Sequence, residues 1–130
     1  MPERFTNALF ARFNRPLPQA VLTLLNFLHM RTQLKRFIEQ MDDGSVAIIP
    51  AAHEQVRSYD TEFKFRQDSD FWYLTGFPEP DAIAVITKGD KKPFTLYVRP
   101  RDLEMETWFG RRQGVEGAVK NYGADRSFPI

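Results

Sequence analysis

A chain of 130 residues, 42% hydrophobic and 27% charged, has room for one domain with a modest core. Eighteen Lys+Arg against 17 Asp+Glu leave a net charge of +1, so no global field recruits a polyanion. The absence of cysteine excludes disulfides, thiolate zinc sites and a cysteine nucleophile, and two histidines, His29 and His53, leave little for histidine-based triads or metal centres.

Residues 1–19 hold Pro2, Pro16 and Pro18 and three scattered phenylalanines, Phe5, Phe10 and Phe13, with no sustained period. They read as an arm or weakly ordered extension. Residues 20–41 predict a helix, with Pro18 suited to its first turn. Leu24, Leu28, Gln33 and Leu34 fall near one face, continued by Phe37, Ile38 and Met41, while Arg31, Lys35, Arg36 and Glu39 take the other. Asp42-Asp43-Gly44 ends the helix. Met30 lies where the periodic sequence becomes strong and is a second candidate start.

Val46 to Pro50 is a continuous apolar run that predicts a strand buried on both faces. Phe71 to Thr75, rich in aromatics and closed by Gly76, reads as a second strand, Ala82 to Thr87 as a third and Phe94 to Val98 as a fourth. The polar turn Lys88 to Pro93 joins the last two as a hairpin. Asp102 to Trp108 predicts a short helical turn and Val115 to Tyr122 a helix stopped by Gly123. Ser127 to Ile130 is extended. Helices interleaved with apolar strands give an α/β layered domain.

No apolar run reaches the roughly 18 residues of a membrane span. Ala20 to Leu28 follows Arg4, Arg12 and Arg15 as a signal peptide would, but Thr23 and Asn26 interrupt it and no small-x-small cleavage site follows. A cytoplasmic setting is the expectation. For metal, the candidates are Asp60, Glu62, Asp68 and Asp70, with His53 and Glu54 upstream. Arg57, Lys64 and Arg66 share that stretch, which favours a polar loop laced with ion pairs. No HExxH or EF-hand spacing, GxSxG context, GxGxxG or P-loop is present. The segment Arg99 to Arg112 sets Trp108 and Phe109 among arginines. Stacking on nucleic acid is one use of such a segment, but Asp102, Glu104 and Glu106 dilute its field. Packing of Trp108 in its own domain and an interface role for it stay open.

The run Asp60 to Asp81 carries Arg66, Gln67, Ser69, Phe71, Tyr73, Thr75, Gly76, Phe77, Glu79 and Pro80 in an order that resembles the amino-terminal domain of Xaa-Pro aminopeptidase (aminopeptidase P). Gly44 to Ala52, Val98 to Asp102 and Trp108 to Gly114 are similar to its flanking pieces. The resemblance runs from about residue 30 to the end. Prolidase and creatinase share the architecture but look less alike in the Arg-Gln segment. The resemblance implies an α/β domain with a mixed sheet flanked by helices, of the creatinase/aminopeptidase P amino-terminal type and truncated at its C-terminus. Residues 1–29 are then an N-terminal extension, partly helical, and residues 30–130 an incomplete amino-terminal domain.

In the family this domain precedes a pita-bread catalytic domain, absent here, that releases an N-terminal residue ahead of proline at a dinuclear site, usually manganese. No segment matches those ligand motifs, so no catalytic residue, metal ligand or cofactor is assigned to this chain. The implied role is an accessory one, shaping oligomer contacts and substrate access, with Trp108 near the substrate pocket and no activity alone. The implied partners are the catalytic domain, in the same protein or from a split gene, and further copies in a homo-oligomer, with neither nucleic acid nor membrane. The alternative is a standalone peptide- or subunit-binding module that kept the fold.

Overall fold

The computed structural model of the chain describes residues 17–130; the side chains of Asn26 and Phe27 lie outside that description, as do residues 1–16 of the expected arm. Helix α1 spans Gln19–Gln40, with Pro18 at its N-cap. Its second half packs as the periodicity predicts, with Leu34, Phe37, Ile38 and Met41 against the core. Its first half does not. Leu24 and Leu28, placed on the same face by sequence, are 56% and 53% exposed. The chain turns at Gly44, whose φ is 75°, and Lys88 Nζ donates to the carbonyls of Glu39 and Met41 at the helix end.

The main sheet has four strands in the order β1-β4-β5-β6. β1 (Val46–Pro50) pairs antiparallel with β4 (Ile83–Thr87), and β4 antiparallel with β5 (Phe94–Val98), forming the expected hairpin. β6 (Arg126–Pro129) lies parallel to β5. A parallel neighbour needs a crossover, supplied by α3 (Leu103–Phe109) and α4 (Gly114–Tyr122). A small separate ribbon pairs β2 (Val56–Ser58) with β3 (Thr61–Glu62).

Two sequence readings are corrected. The segment taken as an aromatic strand is helix α2 (Ser69–Thr75). Phe71, Leu74 and Thr75 are buried while Trp72 and Tyr73 are half exposed. That is helical spacing; a strand would have buried Phe71, Tyr73 and Thr75 together. The Asp68 carboxylate accepts from the backbone N–H of Asp70 and Phe71, and Gly76 closes the helix at φ 62°. Local capping outweighs the β preference of aromatics. The second correction concerns β1. It is an edge strand whose residues alternate between exposed and half-buried, not a strand covered on both faces.

The register explains that pattern. Ala47 and Ile49 lie opposite Ile86 and Ala84, which in turn lie opposite Phe94 and Leu96. These side chains share the inner face and meet Phe71, Leu74 and Phe77, with Ala118 from α4. The alternate residues Val46, Ile48, Ile83, Val85, Tyr97 and Phe128 form the outer face. There Ile48 is 68% exposed, and Tyr97 stacks obliquely on Phe128 at 5.7 Å. Among the described residues the helices cover a single face of the mixed sheet.

Candidate functional site

Trp108 sits on α3, a seven-residue helix with no buried member. It is 82% exposed, and Leu103, Met105 and Phe109 beside it are also exposed. Packing within its own core, one of the readings left open by sequence, is excluded by that exposure. A short helix with no buried face does not persist on propensity. Its shape is held from both ends. The Asp102 carboxylate caps it, accepting from the backbone N–H of Glu104 at 3.1 Å and Met105 at 3.3 Å. Arg101 grips the middle turn: Nε and Nη2 donate to the two Glu106 carboxylate oxygens at 2.7 and 2.9 Å. This two-pronged bond holds the Glu106 carboxyl below the usual carboxylate range and raises the Arg101 guanidinium.

Past α3 the chain is tied back to the body. Gly114 has φ 64°, and a Cβ there would lie 2.7 Å from Arg101 Cγ, so the glycine lets the arginine stem pass. Glu79 Oε1 accepts from the backbone N–H of Gln113 at 2.6 Å, at the start of α4. Burial, with the Glu79 charge as a lesser cause, raises the Tyr122 hydroxyl above its ordinary value.

Gln67 organises the loop beneath. Its Oε1 accepts from the backbone N–H of Ala52 at 2.9 Å and of Asp68 at 3.0 Å. Its Nε2 donates to the carbonyls of Phe77 at 3.1 Å and Glu79 at 2.9 Å. One amide thus joins the end of β1, the start of α2 and the loop carrying Glu79. Sequence reading placed Gln67 in the matched motif but gave it no role; its presence there was the available signal. Arg99 bridges two carboxylates, with Nη1 3.8 Å from Glu54 Oε2 and from Asp81 Oδ2. Asp81 also meets His53 Nδ1 at 2.5 Å.

The acidic candidates do not converge. Asp68 is a helix cap, Asp70 lies in the first turn of α2, Glu62 is on the exposed ribbon and Glu54 faces Arg99. Among the described residues no group of three or more His, Cys, Asp or Glu is placed to hold a metal ion. The arginines of the 99–112 segment are partly spent on carboxylates, Arg99 on Glu54 and Asp81 and Arg101 on Glu106. Among the described residues no helix is long and apolar enough to cross a membrane.

Comparison with known proteins gives the arrangement its context. The family model for the aminopeptidase P N-terminal domain matches residues 30–130. Xaa-Pro aminopeptidase of Escherichia coli (strain K12) is 50% identical over 92 residues, covering 69% of this chain and 21% of that protein. The Haemophilus influenzae Xaa-Pro aminopeptidase is 40% identical over 96 residues, covering 73% and 22%. Among solved structures, aminopeptidase PepP of Pseudomonas aeruginosa superposes with a TM-score of 0.77 at 44% identity, covering 79% of this chain and 24% of that one. The chain therefore spans between a fifth and a quarter of the length of these relatives. The matched residues include the Gln67 junction, the Glu79 tie and the helix that presents Trp108, and on this evidence the chain belongs to the aminopeptidase P N-terminal domain family.

Proposed function

We propose that this chain acts as the amino-terminal accessory domain of a manganese-dependent, cytoplasmic Xaa-Pro aminopeptidase. In that role it shapes contacts between subunits and access to a substrate pocket, and has no peptidase activity alone. The described residues offer no ligand set that fits the metal. Manganese and the chemistry it supplies go with a catalytic domain, in the same protein or from a split gene. What this chain contributes is shape. Trp108 is the observation that carries the reading. A tryptophan 82% exposed, on a helix capped by Asp102 and gripped by Arg101, is an unspent aromatic surface held in a defined place. Large aromatics presented this way are the residues that anchor interfaces and line pockets.

The test is a chimera in which residues 30–130 replace the matching stretch of the E. coli relative, assayed on an Xaa-Pro peptide. Trp108→Ala should lower kcat/KM about tenfold or more, on the scale of one anchoring aromatic, and leave the thermal midpoint of the chimera in place. Unchanged kinetics would remove Trp108 from the substrate path. The alternative, a standalone module that binds a peptide or subunit, uses the same exposed Leu103, Met105, Trp108 and Phe109 surface. It is distinguished by peptide binding to the 130-residue chain with no catalytic domain present.

A further inference from the structure

Strand β1 pairs with β4 on one side, and among the described residues no strand pairs along the other. The register shows which backbone groups that open edge offers. Lys88 N–H donates to the Ser45 carbonyl and Ala51 N–H to the Ala82 carbonyl, so the odd-numbered residues of this stretch turn toward β4. Val46 and Ile48 then turn both N–H and C=O to the open edge, and Pro50 turns its C=O there. The next outward group, Ala52 N–H, is taken by Gln67 Oε1. Proline and a side-chain amide thus blunt the end of the edge and leave the rest open. A groove of about 610 Å³ runs beside the open part, bounded by β1, α1 and α2, with Phe37, Ile49 and Leu74 in its lining. Its two ends carry opposite charge. Arg36 lies near the end of α1, which leads through Gly44 into Val46. Asp68 and Asp70 begin α2, which Gln67 ties to Ala52 just beyond Pro50. Among the described residues neither Arg36 nor Asp70 has an ion-pair partner.

We propose that the β1 edge binds an extended peptide as an added strand, antiparallel to β1, with a cationic residue before the paired stretch and an acidic residue after it. Direction and charge agree. An antiparallel guest enters at Pro50, beside Asp68 and Asp70, and leaves at Val46, on the side of Arg36. It exchanges N–H and C=O bonds with Ile48 and with Val46 and donates one more to the Pro50 carbonyl. Guest residues opposite Ala47 and Ile49 share their side of the sheet and meet the apolar lining, while those opposite Val46 and Ile48 lie on the outer side. Main-chain bonds give such a complex its affinity, and alternate side chains give it selectivity. The ligand is therefore a peptide of Lys or Arg, about five residues with small apolar side chains at the second and fourth, then Asp or Glu. A second copy of β1 fits less well. Paired about Ile48 it sets Pro50 against Val46, and the proline has no N–H for the Val46 carbonyl. The edge shares no residue with the Trp108 surface, so the proposal stands apart from the accessory role.

The probe is the peptide Lys-Thr-Val-Thr-Val-Thr-Glu, fluorescein-labelled through a flexible linker, with binding to the 130-residue chain read by anisotropy. In the proposed register its middle Thr lies opposite Ile48, and its two Val lie opposite Ile49 and Ala47. N-methylation of the middle Thr removes the bond to the Ile48 carbonyl and should weaken binding about tenfold or more. N-methylation of either Val, whose N–H faces away from β1, should change it by less than about twofold. Ile48→Pro removes one edge donor, leaves the bonds to β4 in place and should also weaken binding about tenfold. Exchanging the Lys and Glu of the peptide should weaken binding severalfold, and the double variant Arg36→Glu with Asp70→Lys should reverse that preference. No anisotropy change up to about 1 mM chain would overturn the proposal. So would equal effects of N-methylation at every position, or a charge preference that the double variant leaves unchanged. A sedimenting mass that grows with concentration and falls when peptide is added would overturn it as well, since a second copy would then hold the edge.

Discussion

Replacing Trp108 by alanine separates a presented side chain from a core one, and the structure sets the size of the effect. At 82% exposure less than a fifth of the side chain is covered. A tryptophan has about 250 Å² to bury, so the covered share is about 45 Å². At about 25 cal/mol per Å² its loss costs about 1 kcal/mol. Alanine's better helix propensity returns about 0.5 kcal/mol of that on an exposed helix. The expected net loss is about 0.5 kcal/mol. Phe71→Ala is the internal standard: Phe71 is fully buried, and truncating it should cost about 3–5 kcal/mol. Urea unfolding followed by far-ultraviolet circular dichroism measures both in the 130-residue chain, with the slope m checked for constancy. A loss above about 2 kcal/mol for Trp108→Ala would mean that α3 is part of the folding core, and the reading of Trp108 as a presented residue would fall.

Gln67→Leu should cost about 2–4 kcal/mol, because the backbone groups of Ala52, Phe77 and Glu79 lose their partner in a crowded loop; a loss within experimental error would show that water replaces the amide. Gly76→Ala should destabilise through both its φ of 62° and its collision with Met30, and Met30→Ala in the same chain should recover the collision but leave about 1 kcal/mol of backbone strain; equal stability of the single and double variants would refute the collision. Carboxyl NMR should show Glu106 titrating below the ordinary glutamate value, and Arg101→Gln should return it to that value. Because its folded value is depressed, the contribution of this pair is present above the ordinary glutamate value and is lost as pH falls through the folded one. Purified chain with manganese should release no product from an Xaa-Pro peptide; chelator-sensitive turnover would overturn the accessory assignment.

The sheet hairpin, the C-terminal helices and the end of α1 were legible because period, turn residues and glycine stops agreed there. Phe71 to Thr75 was misread because five residues are too few for a helical period to show and their composition favours strands. The information lay at the ends, in Asp68 and Gly76, which form the cap and the left-handed stop. Val46 to Pro50 was misplaced for a different reason. A continuous apolar run says that both faces are greasy, not that both are covered. Trp108 was singled out in sequence, but its exposure follows from the Arg101–Glu106 fork and the Glu79–Gln113 tie, contacts five and 34 positions apart in the chain. The Gln67 junction joins residues up to 15 positions away, so the motif could mark the residue but not the groups it ties.

The parallel pairing of β6 has a kinetic consequence. The β4–β5 hairpin closes over a short turn, with Thr87 donating to the Pro93 carbonyl, and can form as soon as it is synthesised. Strand β6 pairs Thr95 with Arg126, so it docks only after the two intervening helices have been laid down. Long-range closure of this kind is slow relative to a hairpin. Trp108 is therefore carried on an element that is synthesised before the last strand of the sheet. In refolding experiments, a mutation in the β4–β5 turn should slow folding, while Ser127→Gly in β6 should chiefly speed unfolding. The opposite assignment of rates would place the crossover, and not the hairpin, at the start of folding.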